Sequence, residues 1–283
     1  MSARDHLLFD GDALDACARL PGDLEFDLVY LDPPYAAGGA RTARKAEGGA
    51  RAKLSRSAAG AAGAAYVDYD TPEELLAMLT PRLDAIRARM SQCATFWLHL
   101  DHRAVHDAKV ACDRVFGRGA FLGEVIWIPG NGARGKRLAV THQTLLLYAT
   151  SARDAKHAVW NGDDEDLREP FAATSLAMHF KNTDGDGRAF RERVIAGKSY
   201  RYYADEGRQR GSVWADIPAM LANTPLRAEA TGYPTQKPER LLERIVRATS
   251  APGATVADLM CGSGTTMIAA ARLGRRAVGG DAS

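Results

Sequence analysis

The stretch from Thr255 to Asp281 constrains the fold most. Thr255-Val256-Ala257-Asp258 is a short apolar run, and Cys261-Gly262-Ser263-Gly264 is a turn. The pattern Met267-Ile268-Ala269-Ala270-Ala271-Arg272-Leu273 is helical, and Arg276-Ala277-Val278-Gly279-Gly280-Asp281 is a second strand. Strand, glycine turn, helix, strand is the repeating unit of an α/β sheet. Gly262 and Gly264 let a ligand approach the backbone and leave a helix N-terminus facing it. An acid about 20 residues beyond such a turn suits the hydroxyls of a ribose. A nicotinamide site would want a third glycine where Met267 stands, and a phosphate-cradling loop would want Gly-Lys-Ser/Thr, which is absent.

A second apolar run, Phe26-Asp27-Leu28-Val29-Tyr30-Leu31, ends in Asp32-Pro33-Pro34-Tyr35. The C-terminal tip of such a strand lies at the rim of an open α/β sheet, where ligands bind. Two prolines stiffen the backbone and remove two donors, so the Asp32 and Pro33 carbonyls can be left without chain partners. Two acceptors beside a flat aromatic ring suit a planar base carrying an exocyclic amino group. An ordinary turn is the plain alternative, since Asp-Pro and Pro-Pro are common turn formers.

A third stretch, Thr231-Gly232-Tyr233-Pro234-Thr235-Gln236-Lys237-Pro238, runs into a helix whose Leu241, Leu242, Ile245 and Val246 share one apolar face. Pro238 suits its first turn. At the other end, Leu7-Leu8-Phe9-Asp10-Gly11-Asp12 reads as a strand ending at Asp12, before a helix from Ala13. Taken alone, Asp12 is a helix cap.

Together these motifs resemble the amino-group DNA methyltransferases, of which Asp32-Pro33-Pro34-Tyr35 is the signature tetrapeptide. The resemblance covers most of the chain, apart from the middle of the loop after Tyr35 and much of 151–230. It implies S-adenosylmethionine as cofactor and double-stranded DNA as substrate, with the target base flipped out of the helix. The base amine would donate to the Asp32 carboxylate and the Pro33 carbonyl, with Pro34 stiffening the loop and Tyr35 stacking on the ring. Drawing on the amine hydrogens returns electron density to a nitrogen that is otherwise a poor nucleophile. The cofactor residues it implies are Asp10, Asp12, Ala13, Asp32, Thr235, Gln236, Lys237, Asp258, Cys261, Gly262, Ser263, Gly264, Thr265, Thr266 and Asp281. Asp12 is the candidate for the adenine amino group, and Thr235, Gln236 and Lys237 for the methionine carboxylate. The family's first acid usually precedes Pro and an aromatic, whereas Leu259 and Met260 follow Asp258 here.

The catalytic tetrapeptide precedes the methionine loop, which is the circularly permuted arrangement called the β group. The strand beside 276–281 is then expected from residues 6–10. A bacterial, cytoplasmic, nucleoid-associated protein is expected; a cognate restriction enzyme and a second copy of the chain are further partners that the sequence leaves open.

The 283 residues, 46% of them hydrophobic, suffice for one large core and a smaller appended unit. Cys17, Cys93, Cys112 and Cys261 show no CxxC spacing, which fits reduced thiols and argues against a disulfide scaffold or zinc site. His99, His102 and His106 lack a carboxylate cluster, so no metal is expected. No apolar run approaches membrane-spanning length, and no secretory segment opens the chain.

Net charge is only +2, so the distribution of cations carries the argument. Residues 36–66 are rich in Gly, Ala and Arg, including Arg41, Arg44 and Lys45, and read as a mobile basic lid. A disordered insertion is the alternative. Arg134, Lys136 and Arg137 lie in a second basic loop. In 186–214, Arg191, Arg193, Lys198 and Arg201 interleave with Phe190, Tyr200, Tyr202, Tyr203 and Trp214, as a target-recognition segment would.

Further expected elements are helices over 71–90 and 102–116 and strands over 94–101, 124–128 and 144–148. The expectation is a Rossmann-like methyltransferase fold: a mostly parallel seven-stranded sheet with helices on both faces. Residues 1–150 would form the catalytic half with its mobile loop 36–70, 151–230 the recognition region, and 231–283 the cofactor half. The expected reaction is methyl transfer to adenine N6, because family members with Asp first are mostly adenine enzymes. Cytosine N4 methylation shares the pocket chemistry. A catalytically inactive DNA-binding module is an alternative of another class, which intact Asp32, Gly262 and Gly264 speak against; RNA or protein-glutamine methylation fits less well.

Overall fold

The computed structural model describes residues 6–35, 39–42, 64–130, 138–220, 229–233 and 235–282. In chain order the elements are β1 (His6–Asp10), α1 (Ala13–Arg19), β2 (Phe26–Leu31), β3 (Gly39–Thr42), β4 (Ala64–Asp68), α2 (Pro72–Arg87), β5 (Met90–Leu100) and α3 (Val105–Phe116). Next come β6 (Phe121–Trp127), β7 (Gln143–Ala149), β8 (Arg168–Glu169), α4 (Ala173–His179), β9 (Asn182–Thr183), β10 (Ala189–Ile195), β11 (Lys198–Tyr203), β12 (Arg208–Gln209) and β13 (Val213–Trp214). The chain ends with α5 (Glu239–Thr249), β14 (Thr255–Asp258), α6 (Thr265–Arg272) and β15 (Arg276–Asp281).

The chain divides into two compact units, 1–160 with 212–283, and 161–211. The second is narrower than the expected 151–230.

The first unit is built on a sheet of order β1-β15-β14-β2-β5-β7-β6-β13. Neighbours from β1 through β5 are parallel, and β7 is antiparallel to both β5 and β6. This is the α/β, mostly parallel sheet that was expected, with a two-residue eighth strand, β13, added parallel to β6. The strand beside β15 is β1, with Asp10 opposite Asp281.

Alternation along β5 shows why both faces need cover. Phe96, Leu98 and Leu100 join the apolar layer made with Leu75, Leu79 and Leu83 of α2 and Ala108 and Cys112 of α3. From the opposite face, the Trp97 indole donates to Thr249 Oγ1 on α5 at 2.9 Å.

Several boundaries differ from those read in the sequence. The first strand ends at Asp10, because Asp12 caps α1 by accepting from Leu14 N at 2.8 Å. Helix α2 occupies 72–87 and α3 starts only at Val105, while β5 begins at Met90 and so takes in more of the chain than 94–101. Trp214 is not a DNA-stacking residue: it pairs with Trp127 in the sheet, is 2% exposed, and packs on Trp97 and beneath the Arg244 guanidinium.

In the second unit, β9, β10 and β11 form a small antiparallel sheet. Its β10–β11 hairpin turns at Ala196 and Gly197, both with positive φ (49° and 77°), as a tight two-residue hairpin requires.

Candidate active site

Four parallel strands end at the same rim of the sheet. Asp10, Asp281, Asp258 and, one residue past β2, Asp32 are therefore delivered to one edge by β1, β15, β14 and β2. A cavity of about 330 Å³ opens there. Such a rim is where open α/β sheets bind ligands, and the size falls in the usual range for small molecules.

The cavity brings together most of the residues singled out in the sequence. Asp32, Pro33, Pro34 and Tyr35 line it, as do Asp12, Ala13, Thr235, Gln236, Lys237, Asp258, Cys261, Gly262, Ser263, Thr265, Thr266 and Asp281. Asp10 is exposed, and neither it nor Gly264 lines the cavity. Gly264 instead sits in the left-handed region (φ 75°) as the residue that starts α6.

The glycine turn is held from both sides. Asp281 Oδ2 accepts from Gly262 N at 2.7 Å, and Gly280 O accepts from Cys261 N at 2.9 Å. Asp258 accepts from Thr266 Oγ1 (2.5 Å) and Met260 N (3.2 Å), so both its oxygens serve its own loop. Burial pushes the Asp258 carboxyl up to about 7, opposed by those two hydrogen bonds and reinforced by Asp32 and Asp281. Burial likewise pushes the Cys261 thiol up to about 12, which leaves it protonated and unreactive near neutral pH.

At the 32–35 loop, the Tyr35 hydroxyl donates to Asp32 Oδ1 (3.1 Å) and reaches Gln143 Oε1 (3.4 Å), while Tyr35 N donates to Asp68 Oδ1 (3.0 Å). The other Asp32 oxygen meets the Lys237 ammonium. Burial raises the Asp32 carboxyl, whereas Lys237 and the Tyr35 hydroxyl hold it down. Behind the loop, Tyr30 Oη and His99 Nδ1 lie 2.8 Å apart in the sheet.

Asp12 has a second partner besides its helix cap. Arg82 of α2 pairs with its Oδ2, the Nε at 3.0 Å. Gln236 turns back on its own loop, its Oε1 accepting from Thr231 N at 2.9 Å and its Nε2 donating to Glu229 O at 2.8 Å.

Residues that sequence reasoning passed over also build the site. Tyr233 lies against the glycine turn: a Cβ on Gly262 would stand 2.8 Å from its ring. Tyr69, Met78 and Arg82 complete the walls, and Asp68 braces Tyr35. The Gly-Tyr-Pro run before Thr235 was the one visible signal for Tyr233. Nothing local marks Asp68, which meets Tyr35 only through the fold.

Of the DNA-contact candidates, Arg44, Lys45, Arg134, Lys136 and Arg137 lie outside the described residues, and for Arg41 only the backbone is described, on β3. The remaining four are on the hairpin of the second unit, where the strand register sorts them. Arg191, Arg193 and Lys198 share a face with Ile195, Tyr200 and Tyr202, whereas Arg201 shares the other with Glu192, to which it is bonded at 2.8 Å. The Arg191 guanidinium sits 5.2–5.3 Å from the ring centres of Phe171, Phe180 and Tyr202.

The family profile for DNA methylases (N6_N4_Mtase) matches residues 26–283. The chain belongs to this DNA methylase family. Among curated proteins it is similar to the type II methyltransferase M.EcaI of Enterobacter cloacae, with 26% identity over 303 residues, covering 90% of this chain and 62% of that protein. It is also similar to the Mod subunit of the type III restriction-modification enzyme EcoP15I of Escherichia coli, with 22% identity over 179 residues, covering 58% and 27%. The chain thus spans about three fifths of M.EcaI and about a quarter of the Mod subunit. Solved structures share the DNA methylase fold. The M1.HpyAVI–SAM complex has a TM-score of 0.53 at 16% identity, covering 98% of this chain and 93% of that one. The cytosine-N4-specific PvuII DNA methyltransferase has a TM-score of 0.58 at 14% identity, covering 98% and 81%.

Proposed function

We propose that this chain transfers a methyl group from S-adenosylmethionine to adenine N6 in double-stranded DNA, acting on a flipped base. One observation carries the reading: the Asp32-Pro33-Pro34-Tyr35 loop and Cys261, Gly262 and Ser263 of the glycine turn, more than two hundred residues apart, line one cavity.

The residues present fit the cofactor. Gly262 and Tyr233, whose ring fills the space a Gly262 Cβ would take, form one wall, Asp281 stands at the strand tip for ribose hydroxyls, and Asp12 and Ala13 also border the cavity. Bound there, S-adenosylmethionine supplies an electrophilic methyl group on a positively charged sulfur. The chain supplies orientation and acceptors. Asp32 has one oxygen on Tyr35 and one on Lys237, and a carboxylate has about four acceptor positions, so lone pairs remain for the amine hydrogens. The rigid prolines keep those acceptors fixed as charge builds on the attacking nitrogen. As the N–C bond formed, the bond between the methyl group and sulfur would break with its electron pair left on sulfur, and one amine hydrogen would pass as a proton by way of Asp32 to solvent. Basic residues, Arg193 and Lys198 foremost, would meet the phosphates.

The choice of adenine rests on Asp at the first position of the tetrapeptide, as in the adenine members of the family it resembles. The test is transfer of labelled methyl from the cofactor to bacterial DNA, followed by digestion to nucleosides and mass spectrometry. N6-methyladenine is expected. N4-methylcytosine would reassign the base, and DNA binding without transfer would make the chain a non-enzymatic binder.

A further inference from the structure

Lys237 lies deep in the cavity wall, 8% exposed, with its ammonium on Asp32 Oδ2, 3.5 Å from the Thr235 carbonyl and 5.4 Å from the centre of the Tyr35 ring. An ammonium enclosed to this degree needs a counter-charge, and the Asp32 carboxylate, itself 18% exposed, faces it. The contact joins residues 205 positions apart, one on the catalytic loop and one leading into α5. We propose that Lys237 is a positioning residue that acts through Asp32, holding its carboxylate charged and oriented to accept an N–H from the target amine. This rests on reading the cavity as an amino-methyltransferase site. It differs from the role beside the methionine carboxylate that the family resemblance implies.

The surroundings show why such a partner is needed. Burial favours a neutral Asp32, and Asp68 adds to that pressure; Lys237 and the Tyr35 hydroxyl oppose it. Tyr30 and Asp258 are the other titratable groups near Asp32, and both are buried. His99, the titratable group toward Lys237, is held neutral by burial and by that ammonium, so it offers no competing charge. A protonated Asp32 would present an O–H where the amine needs a lone pair.

The full-length chain, Lys237→Met and Lys237→Arg are compared for kcat against pH and for binding of S-adenosylhomocysteine by calorimetry. In Lys237→Met the acid limb should move to higher pH. Turnover below neutrality should fall about tenfold or more and recover as pH rises, since each tenfold in the ionised fraction is one pH unit. Lys237→Arg should keep the wild-type limb. Ligand affinity should stay within about threefold, well under 1 kcal/mol. A loss of rate equal at every pH, matched by a fall in affinity, would overturn the proposal and assign Lys237 to the ligand's carboxylate. If the wild-type chain transfers no methyl group, the reaction itself is misread. A 13C-carboxyl NMR titration of Asp32 then still decides: titration at higher pH in Lys237→Met supports the ion-pair role, and identical titration refutes it.

Discussion

Gly262→Ala tests the cofactor side of the cavity most sharply. Gly262 has φ of +47°, and a Cβ there would meet Tyr233 Cε1 at 2.8 Å and Cζ at 2.9 Å. The left-handed backbone costs an L-residue about 1–2 kcal/mol. Loss of glycine's freedom in the unfolded chain offsets about 0.5–1 kcal/mol of that. The ring must also retreat, and an off-rotamer tyrosine adds about 0.5–1.5 kcal/mol. The sum is a destabilisation of about 0.5–3 kcal/mol, or a fall in Tm of roughly 1–12 °C for a chain of this size. Tyr233 would be pushed off the glycine turn, so S-adenosylhomocysteine should bind more weakly as well. The decisive measurement is a double-mutant cycle with Tyr233→Ala, followed by urea melts with and without that ligand. In the Tyr233→Ala background only the backbone cost should remain, giving a coupling of about 0.5–1.5 kcal/mol. Zero coupling would mean that Tyr233 does not cover Gly262 in solution and forms no part of the cavity wall there.

Asp32→Ala should lower turnover about a hundredfold or more while leaving S-adenosylhomocysteine binding nearly intact; an equally steep drop in affinity would show the two half-sites misplaced. On the β10–β11 hairpin, Arg193→Ala or Lys198→Ala should reduce the salt dependence of DNA binding by about one counterion each. Arg201→Ala, already paired with Glu192 on the opposite face, should change it little; equal slopes for all three variants would refute that assignment. Because the folded Asp258 carboxyl is raised to about 7, the stability it contributes is present at acid pH and lost as pH rises through that value. Relative to Asp258→Asn, the wild-type urea midpoint should therefore fall between about pH 4 and 7, by up to a few kcal/mol in stability, and a flat difference would contradict it. Trp214→Ala should destabilise the fold by about 3–5 kcal/mol without altering the salt dependence of DNA binding, as measured by melts and titrations.

The sequence by itself determined the α/β class, the parallel unit 255–281, the loop 32–35 and the permuted order of the halves. The first three are local patterns: period-two or helical spacing of apolar residues, glycines at a turn, prolines after a strand; the permuted order follows from the resemblance of the motifs, in the order they occur, to a known family. The capping of α1 by Asp12 was legible from local pattern too, since the capping carboxylate and the Leu14 N–H that donates to it are two residues apart. What joins distant segments was decided only by the tertiary structure. Lys237 on Asp32, Tyr233 on Gly262 and Asp68 on Tyr35 arise because parallel β2 and β14 end at one rim, and the segment before α5 and the end of the separate β3–β4 ribbon meet the loops there, whatever their separation along the chain. Trp214 reads as one more aromatic among arginines until β13 pairs with β6 and buries it. The hairpin's two faces separate in the same way: one-dimensional spacing shows cations and tyrosines mixed, and only the strand register places Arg201 beside Glu192 and away from Arg193 and Lys198.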